Sequence, residues 1–314
     1  MAATRSLNDS INWVKPFINW ASVTIGINSE PAVTSANQTL QTIVGPPFIW
    51  PWNRNSTSFI TSIGQQDYNT SIADFGYLEA ASIELCGIIT AVQVLSGVAT
   101  FYAVNGFSTL SNGGHGQSVT IEGCATSTLN GNFVLVSANA TSFTVNIVTP
   151  DINEVEFGAI AVAGLAMGLT LHWEALNEER ATDRPTFIST QECDLSGTTF
   201  TFRLMPVPDQ IYRVNLTYQK SPGAFSPSNL NAVWGIPDQL QYIYNYFFLF
   251  FVLDYFDDPR AARYRQLAVA SLLGRQSGLS ETDRNLFLGN WLDIMQEEQS
   301  KQSTVAQGTQ AKGM

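Results

Sequence analysis

The chain has only two histidines for acid–base or metal work, and neither stands in a constellation that could perform it. His115 lies in Asn112-Gly113-Gly114-His115-Gly116, a turn-forming run without a nearby carboxylate or cysteine, and reads as a solvated loop residue. The same run lacks the Gly-Lys-Ser/Thr ending of a phosphate cradle, so it is a loop rather than a nucleotide site. His172, beside Trp173 in an amphipathic stretch, reads as structural. Carboxylates gather at Asp254, Asp257 and Asp258 and at Glu297 and Glu298, and two carboxylates near tryptophans are the equipment of a glycoside hydrolase. Each group has a plainer use: Asp258 precedes Pro259 as a helix N-cap, and Glu297 and Glu298 close a solvated helix end. The serines sit in no nucleophile-elbow context. No catalytic, cofactor-binding or metal-ligating residue is expected, and the protein is not expected to be an enzyme.

Cys86, Cys124 and Cys193 are too far apart for a CxxC motif, and an odd number cannot close into a full disulfide set, which favours a reducing compartment. The polar stretch Met1 to Asn8 is no secretory leader. Tyr246 to Leu253, YFFLFFVL, is eight residues long where a bilayer needs about 20, so no membrane span is expected. A chain of 314 residues can bury roughly three quarters of its unfolded surface, which leaves room for one to three domains. Its 45% hydrophobic content is ordinary, but 13% charged is about half the usual share. The net charge of −11 argues against gripping a nucleic-acid backbone, which takes clustered Lys and Arg, though not against DNA passing nearby.

The clearest structural text is Thr198 to Pro222. Phe200, Phe202 and Leu204 alternate with Thr201 and Arg203, and Tyr212, Val214, Leu216 and Tyr218 alternate with Arg213, Asn215, Thr217 and Gln219. Two half-buried strands joined as a hairpin through Pro206, Pro208 and Asp209 are expected. Upstream, the first 45 residues read as two helices. The first carries Trp13, Phe17 and Trp20 with a kink expected at Pro16 in its interior, and the second runs from Pro31 to Gly45-Pro46-Pro47. Phe48 to Phe59 reads as an extended segment pinned by Trp50 and Trp52, with Thr57 to Ile63 and Tyr77 to Leu85 as strands.

Gly87 to Thr170 then holds Glu122, Asp151, Glu154 and Glu156 and no Lys or Arg. Strands at Gly97 to Val104, Ser118 to Glu122, Asn132 to Val136 and Ser142 to Ile147, with Asn130-Gly131 as a turn, indicate a small all-β sandwich or barrel. Because both flanks are strand-like, this segment reads as an insertion. After the strand at Pro185 to Thr190 and the hairpin, helices open at Pro237-Asp238, at Asp258-Pro259, where Gly278 is the expected stop, and at Ser280-Glu281-Thr282-Asp283. Aromatics from Tyr242 to Phe256 lie all round the first of these, which demands more cover than one small domain offers and points to packing between subunits. Gln299 to Met314 is polar and reads as a flexible tail.

The fold class expected is α+β: a helical domain with long C-terminal helices plus antiparallel β hairpins, carrying an inserted small all-β, Ig-like sandwich or barrel, domain. The divisions are residues 1–86 with 171–298 for the discontinuous main domain, 87–170 for the insertion and 299–314 for the tail. In Pro46-Pro47-Phe48-Ile49-Trp50-Pro51-Trp52-Asn53-Arg54, Gly64-Gln65-Gln66-Asp67-Tyr68, Phe75-Gly76-Tyr77-Leu78-Glu79, Arg184-Pro185, Pro206-Val207-Pro208-Asp209, Tyr218-Gln219-Lys220-Ser221-Pro222, Ile236-Pro237-Asp238 and Asp257-Asp258-Pro259-Arg260-Ala261-Ala262, the chain resembles the head-to-tail adaptor proteins of short-tailed bacteriophages, the neck, head-completion or tubular tail A type. Gly116 to Gly123 and Leu129 to Phe133 are similar to small β domains inserted in phage structural proteins.

The resemblance implies a dodecameric ring of the protein at the head–tail junction of the virion, made in the host cytoplasm. It implies the portal, a tail nozzle or tube protein and a tail fibre as partners, with double-stranded DNA passing through the lumen unbound, and no cofactor or membrane. Expected partner-facing residues are Trp50, Trp52, Tyr242, Phe250, Trp291, Gln299, Lys301 and Met314. The alternative is a tail-tip or host-surface-binding protein that reads carbohydrate or receptor with the inserted β domain.

Overall fold

The computed structural model describes residues 2–18, 30–46, 48–104, 107, 114–172, 181–193, 197–274, 277–282, 284–285 and 288. Contacts divide the chain into two compact units, residues 1–54 with 219–314 and residues 55–218. The fold is mixed α+β and mostly β.

The first unit is helical. α1 (Leu7–Ile18) starts where Ser6 and Asp9 cap each other: Asp9 Oδ2 accepts from the Ser6 N–H at 2.9 Å, and Ser6 Oγ accepts from the Asp9 N–H at 3.3 Å. Pro16 lies inside α1, where it has no N–H to donate to the carbonyl one turn back. α2 (Ala32–Val44) follows Pro31 and stops at Gly45, whose N–H reaches back to the Gln41 carbonyl. α3 (Gln241–Tyr255) and α4 (Ala261–Leu273) have 15 and 13 residues, so these two helices are ordinary in length, while most of the helix expected from Ser280 lies outside the described residues. α4 leaves helical geometry at Gly274, not at the expected Gly278, which instead takes φ 78° in the turn beyond.

This unit also corrects the expectation that α3 needs neighbouring subunits to cover its aromatics. Tyr244, Phe247 and Phe248 are buried against Leu7 and Ile11 of α1 and Leu40 of α2, with the Trp234 ring stacked on Tyr244 at 4.8 Å. α1, α2 and α4 of the same chain thus bury most of the apolar circumference of α3. Tyr255 and Phe256, at its end, stay more than half or half exposed.

The second unit is built from β1 (Arg54–Ile60), β2 (Asp67–Ser71), β3 (Phe75–Leu95), β4 (Val98–Val104), β5 (Ser118–Glu122), β6 (Gly131–Ala138), β7 (Ser142–Asn146), β8 (Ile152–Val155), β9 (Ile160–His172), β10 (Thr182–Asp183), β11 (Phe187–Cys193), β12 (Thr199–Met205), β13 (Val207–Pro208) and β14 (Tyr212–Lys220). Twelve of these join in the order β1-β14-β3-β4-β7-β6-β5-β9-β11-β12-β2 with β8 on β3, and β10 pairs with β13.

β3 and β9 organise this unit into two lobes. Ala161 to Ala163 of β9 pair with β5 on one edge and with Leu85 to Gly87 of β3 on the other, so the circuit β3-β4-β7-β6-β5-β9 closes on itself. Val92, Phe101, Val119, Leu135, Phe143 and Val145 fill this barrel, with Phe101 and Phe143 stacked at 5.0 Å. Of the two arrangements expected for the uncharged segment, the pairing is that of a barrel rather than an Ig-like sandwich. Residues 87–170 begin inside β3 and end inside β9. Other parts of the same two strands join β14, β11, β12, β2 and β1 around a second core of Tyr68, Phe75, Ile188, Phe202, Leu204 and Val214.

The Thr198 to Pro222 hairpin does not form. Both strands exist and every residue expected to face inward is buried, but β12 pairs with β11 and β2, while β14 lies between β1 and β3. After β12 the chain runs through Pro206, which has no N–H for a ladder, and Val207 and Pro208 pair in parallel with β10 instead. Asn130-Gly131 is likewise no hairpin turn, since residues 123–130 separate β5 from β6 and Asn130 clamps the Cys124 backbone with bonds of 2.8 and 2.9 Å. The tight two-residue turn is Ser96-Gly97, between β3 and β4, where both residues have positive φ as a primed turn requires.

Candidate functional site

Of the residues expected to meet partners, Trp50 belongs to the chain's own core. It is 1% exposed, its indole N–H donates to the Ile43 carbonyl at 2.7 Å, and its backbone N–H donates to Gln219 Oε1 at 3.1 Å. The tryptophan pair around Pro51 is therefore divided: Trp50 pins the segment after α2, and Trp52, 5.4 Å away ring to ring, is half-buried beside it. Tyr242 and Phe250 are also half-buried on α3. The Trp52 indole N–H and the Tyr242 hydroxyl are both out of water without a hydrogen-bond partner, and burial pushes the Tyr242 phenol up. Phe250 packs on Phe251 at 4.7 Å and carries the Arg265 guanidinium over its ring at 5.9 Å. With the exposed Tyr255 and Phe256, these side chains make α3 the aromatic element that still has surface to offer. Trp20, Trp291, Gln299, Lys301, Met314 and the 299–314 tail lie outside the described residues.

Among the described residues, those considered for catalysis do not converge; Glu297 and Glu298 lie outside them. His115 is exposed in its loop, and His172 is exposed with its ring edge-on to Phe187 at 5.1 Å. A half-open cavity of about 310 Å³ in the β unit is lined by Phe75, Tyr77, Leu171, His172, Cys193 and Phe200, with no carboxylate among the described residues of its wall. Asp258 is occupied by Arg260: its carboxylate takes the Arg260 N–H and guanidinium at 2.6–2.9 Å, which holds the acid down at about 2. None of the three cysteines forms a disulfide, and burial pushes the Cys86 and Cys124 thiols up to about 12, far from thiolate chemistry. Among the described residues no group of three or more His, Cys, Asp or Glu could hold a metal ion, and no helix is long and apolar enough to cross a membrane.

One constellation is absent from the sequence-based expectations. Glu154 and Glu156, two residues apart at the end of β8, converge on the segment after β5: Glu156 Oε2 accepts from the Ala125 N–H at 3.0 Å and Glu154 Oε2 from the Thr126 hydroxyl at 3.1 Å. Glu156 is only 4% exposed. Burial raises its carboxyl above the usual range, the Ala125 N–H opposes that, and Glu154 adds to it. The usable signal was the spacing of two on a strand within a stretch free of Lys and Arg, which puts two acids on one face with no cation in sequence to meet them.

Charge is divided by unit. Residues 55–179 contain no Lys or Arg, and the whole β unit sets four arginines against fifteen Asp and Glu, a net of −11. Of those arginines, Arg203 grips Asp67 at 2.7 Å and Arg213 reaches Glu122 at 3.2 Å. The helical unit has eleven of each sign. Residues 130–287, half of the chain, match the model of a protein family described as SU10 adaptor protein. No curated protein matches the chain.

Proposed function

The chain belongs to the SU10 adaptor protein family and is a structural adaptor of the bacteriophage head-to-tail junction; we propose that copies of it form the ring, a dodecamer, that joins the portal to the tail and continues the DNA channel. The family match carries this reading, since it spans barrel strands and α3 and α4 alike, and the family is one of structural proteins rather than enzymes. The charge distribution supports it. A β unit of net −11, with no Lys or Arg over residues 55–179, gives DNA phosphate nothing to grip, so a duplex can slide past it.

In this reading Trp52, Tyr242, Phe250, Tyr255 and Phe256 serve contacts between copies, because aromatic side chains concentrate at the cores of protein interfaces. The segment 299–314 docks on the portal, a tail nozzle or tube protein binds the opposite end of the ring, and residues 87–170 are an inserted module that decorates it. Negative-stain imaging of the pure protein, alone and mixed with portal rings, tests the assembly. Closed rings that cap the portal are expected; a monomer that ignores the portal and instead binds glycan would replace this reading with a host-surface one. Truncation after Glu298 should weaken portal binding while leaving rings intact.

A further inference from the structure

We infer that Glu154 and Glu156 share one proton and form a pH-sensitive latch that holds the turn between β8 and β9 to the segment following β5. Two contacts hold the carboxyls themselves, and three more tie the segments around them. Glu156 is tied to β3 by its own N–H, which donates to the Thr90 carbonyl at 3.0 Å, and to Ala125 through Oε2 at 3.0 Å. Glu154 holds Thr126 through its Oε2, and Asn130 locks the same segment by gripping both sides of Cys124. With the Oε2 atoms so engaged, Glu154 Oε1 and Glu156 Oε1 are both out of water and neither has a hydrogen-bond partner when both acids are ionised. The two side chains lie within hydrogen-bonding reach of each other.

Two facing carboxylates out of water repel, and a proton between them turns both orphan oxygens into a donor and an acceptor. Among the described residues, the other titratable group facing the pair is the Cys124 thiol, which supplies no compensating charge and stays neutral because its own burial and the two glutamates push it up to about 12. The stretch from residue 55 to 179 has no Lys or Arg, and Arg213 is engaged with Glu122.

The sign follows from the direction of the shift. The folded lobe holds a proton that unfolded glutamates release in the ordinary carboxylate range, so the latch is secure at low pH and loosens as pH rises through the raised value. Hydrogen exchange of the full-length protein at the Ala125 and Glu156 amides, both of which donate within the latch, reads this locally. Between pH 5.5 and 8.5 the wild type should lose protection, beyond the ordinary base catalysis of exchange, by up to about tenfold per pH unit until the pair has given up its proton, and no further above that point. Glu156→Gln, whose amide can donate to Glu154 without a titrating proton, should show no such loss and should be the better protected at pH 8.5; Glu154→Gln is read in the same way if the first variant does not fold. Equal pH slopes in wild type and variant would overturn the latch. So would recovery of wild-type protection at pH 8.5 on adding millimolar Ca²⁺, which would make the occupant a cation.

Discussion

The helical unit and the β unit solve burial by contrasting means. The first balances its charges and buries bulky aromatics among its helices, and part of its buried polar set is joined in a chain: the Trp234 indole N–H donates to Ser10 Oγ at 3.0 Å, and Ser10 in turn donates to Asn245 Oδ1 at 2.8 Å. The second carries the whole net charge, yet its two cores are as apolar, because strand alternation sends carboxylates outward and β-branched and aromatic side chains inward. A chain-wide net charge therefore conceals a neutral body and a strongly acidic one. The acidic one is also where an acid has been left buried, at Glu156.

The comparison breaks most visibly if the β unit is cut in the wrong place. Removing residues 87–170 takes away Leu169 and Gly168, the partners of Ala81 and Ser82, and should unfold the lobe built on β12 and β14. Removing 89–159 and joining the paired residues Ile88 and Ile160 by a two-glycine turn should leave that lobe folded, as circular dichroism and limited proteolysis would show. Next in size, Phe248→Ala in the helical unit should cost about 3–5 kcal/mol and lower only the helical transition in denaturant unfolding. A loss shared equally by both units would mean that they unfold as one. Ser10→Ala, which strands the Trp234 N–H in the same unit, should cost about 1–3 kcal/mol by the same measurement. In the β unit Asp67→Asn, which unpairs the partly exposed Arg203, should cost less than about 1 kcal/mol, and that loss should shrink in high salt. The smallest effect belongs to Asp258. Its lowered pKa means that its contribution to the start of α4 is present above pH 4 and disappears as pH falls through about 2, so Asp258→Asn should flatten that part of an acid titration followed by helix signal.

Much of this was legible in sequence, and the part that was not has a common cause. Alternation correctly assigned Phe200, Phe202, Leu204, Tyr212, Val214, Leu216 and Tyr218 to the inside, because a strand's period of two fixes its faces. It could not assign neighbours: the partner of Phe202 is Tyr68, far away in the chain, and no turn residue encodes that pairing. α3 was recognisable as a helix, but which surfaces cover it depends on α1 and α2, which lie some two hundred residues earlier. Of the expected partner-facing residues, Trp50 was indistinguishable in sequence from Trp52, and only the Ile43 carbonyl within reach of its indole separates the buried one from the half-buried one. The Glu154 and Glu156 pair escaped for the opposite reason. Isolated acids normally mean solvated surface, and what holds these two inside is an N–H and a hydroxyl from a segment some thirty residues upstream.

β3 deserves a last physical consequence. With 21 residues at about 3.3 Å each, it can extend up to about 70 Å, and it serves the barrel with one end and the second lobe with the other. A load applied to the barrel is therefore carried along a continuous covalent backbone into the neighbouring lobe, as tension in a tie-rod, and the hydrogen bonds to β9 that flank it resist in shear, many at once, rather than peeling one by one. The bulges at Ile83/Leu85 and Ile89/Ala91 bend this member without interrupting it, so the two lobes behave as one spring with a stiff axis instead of two beads on a string.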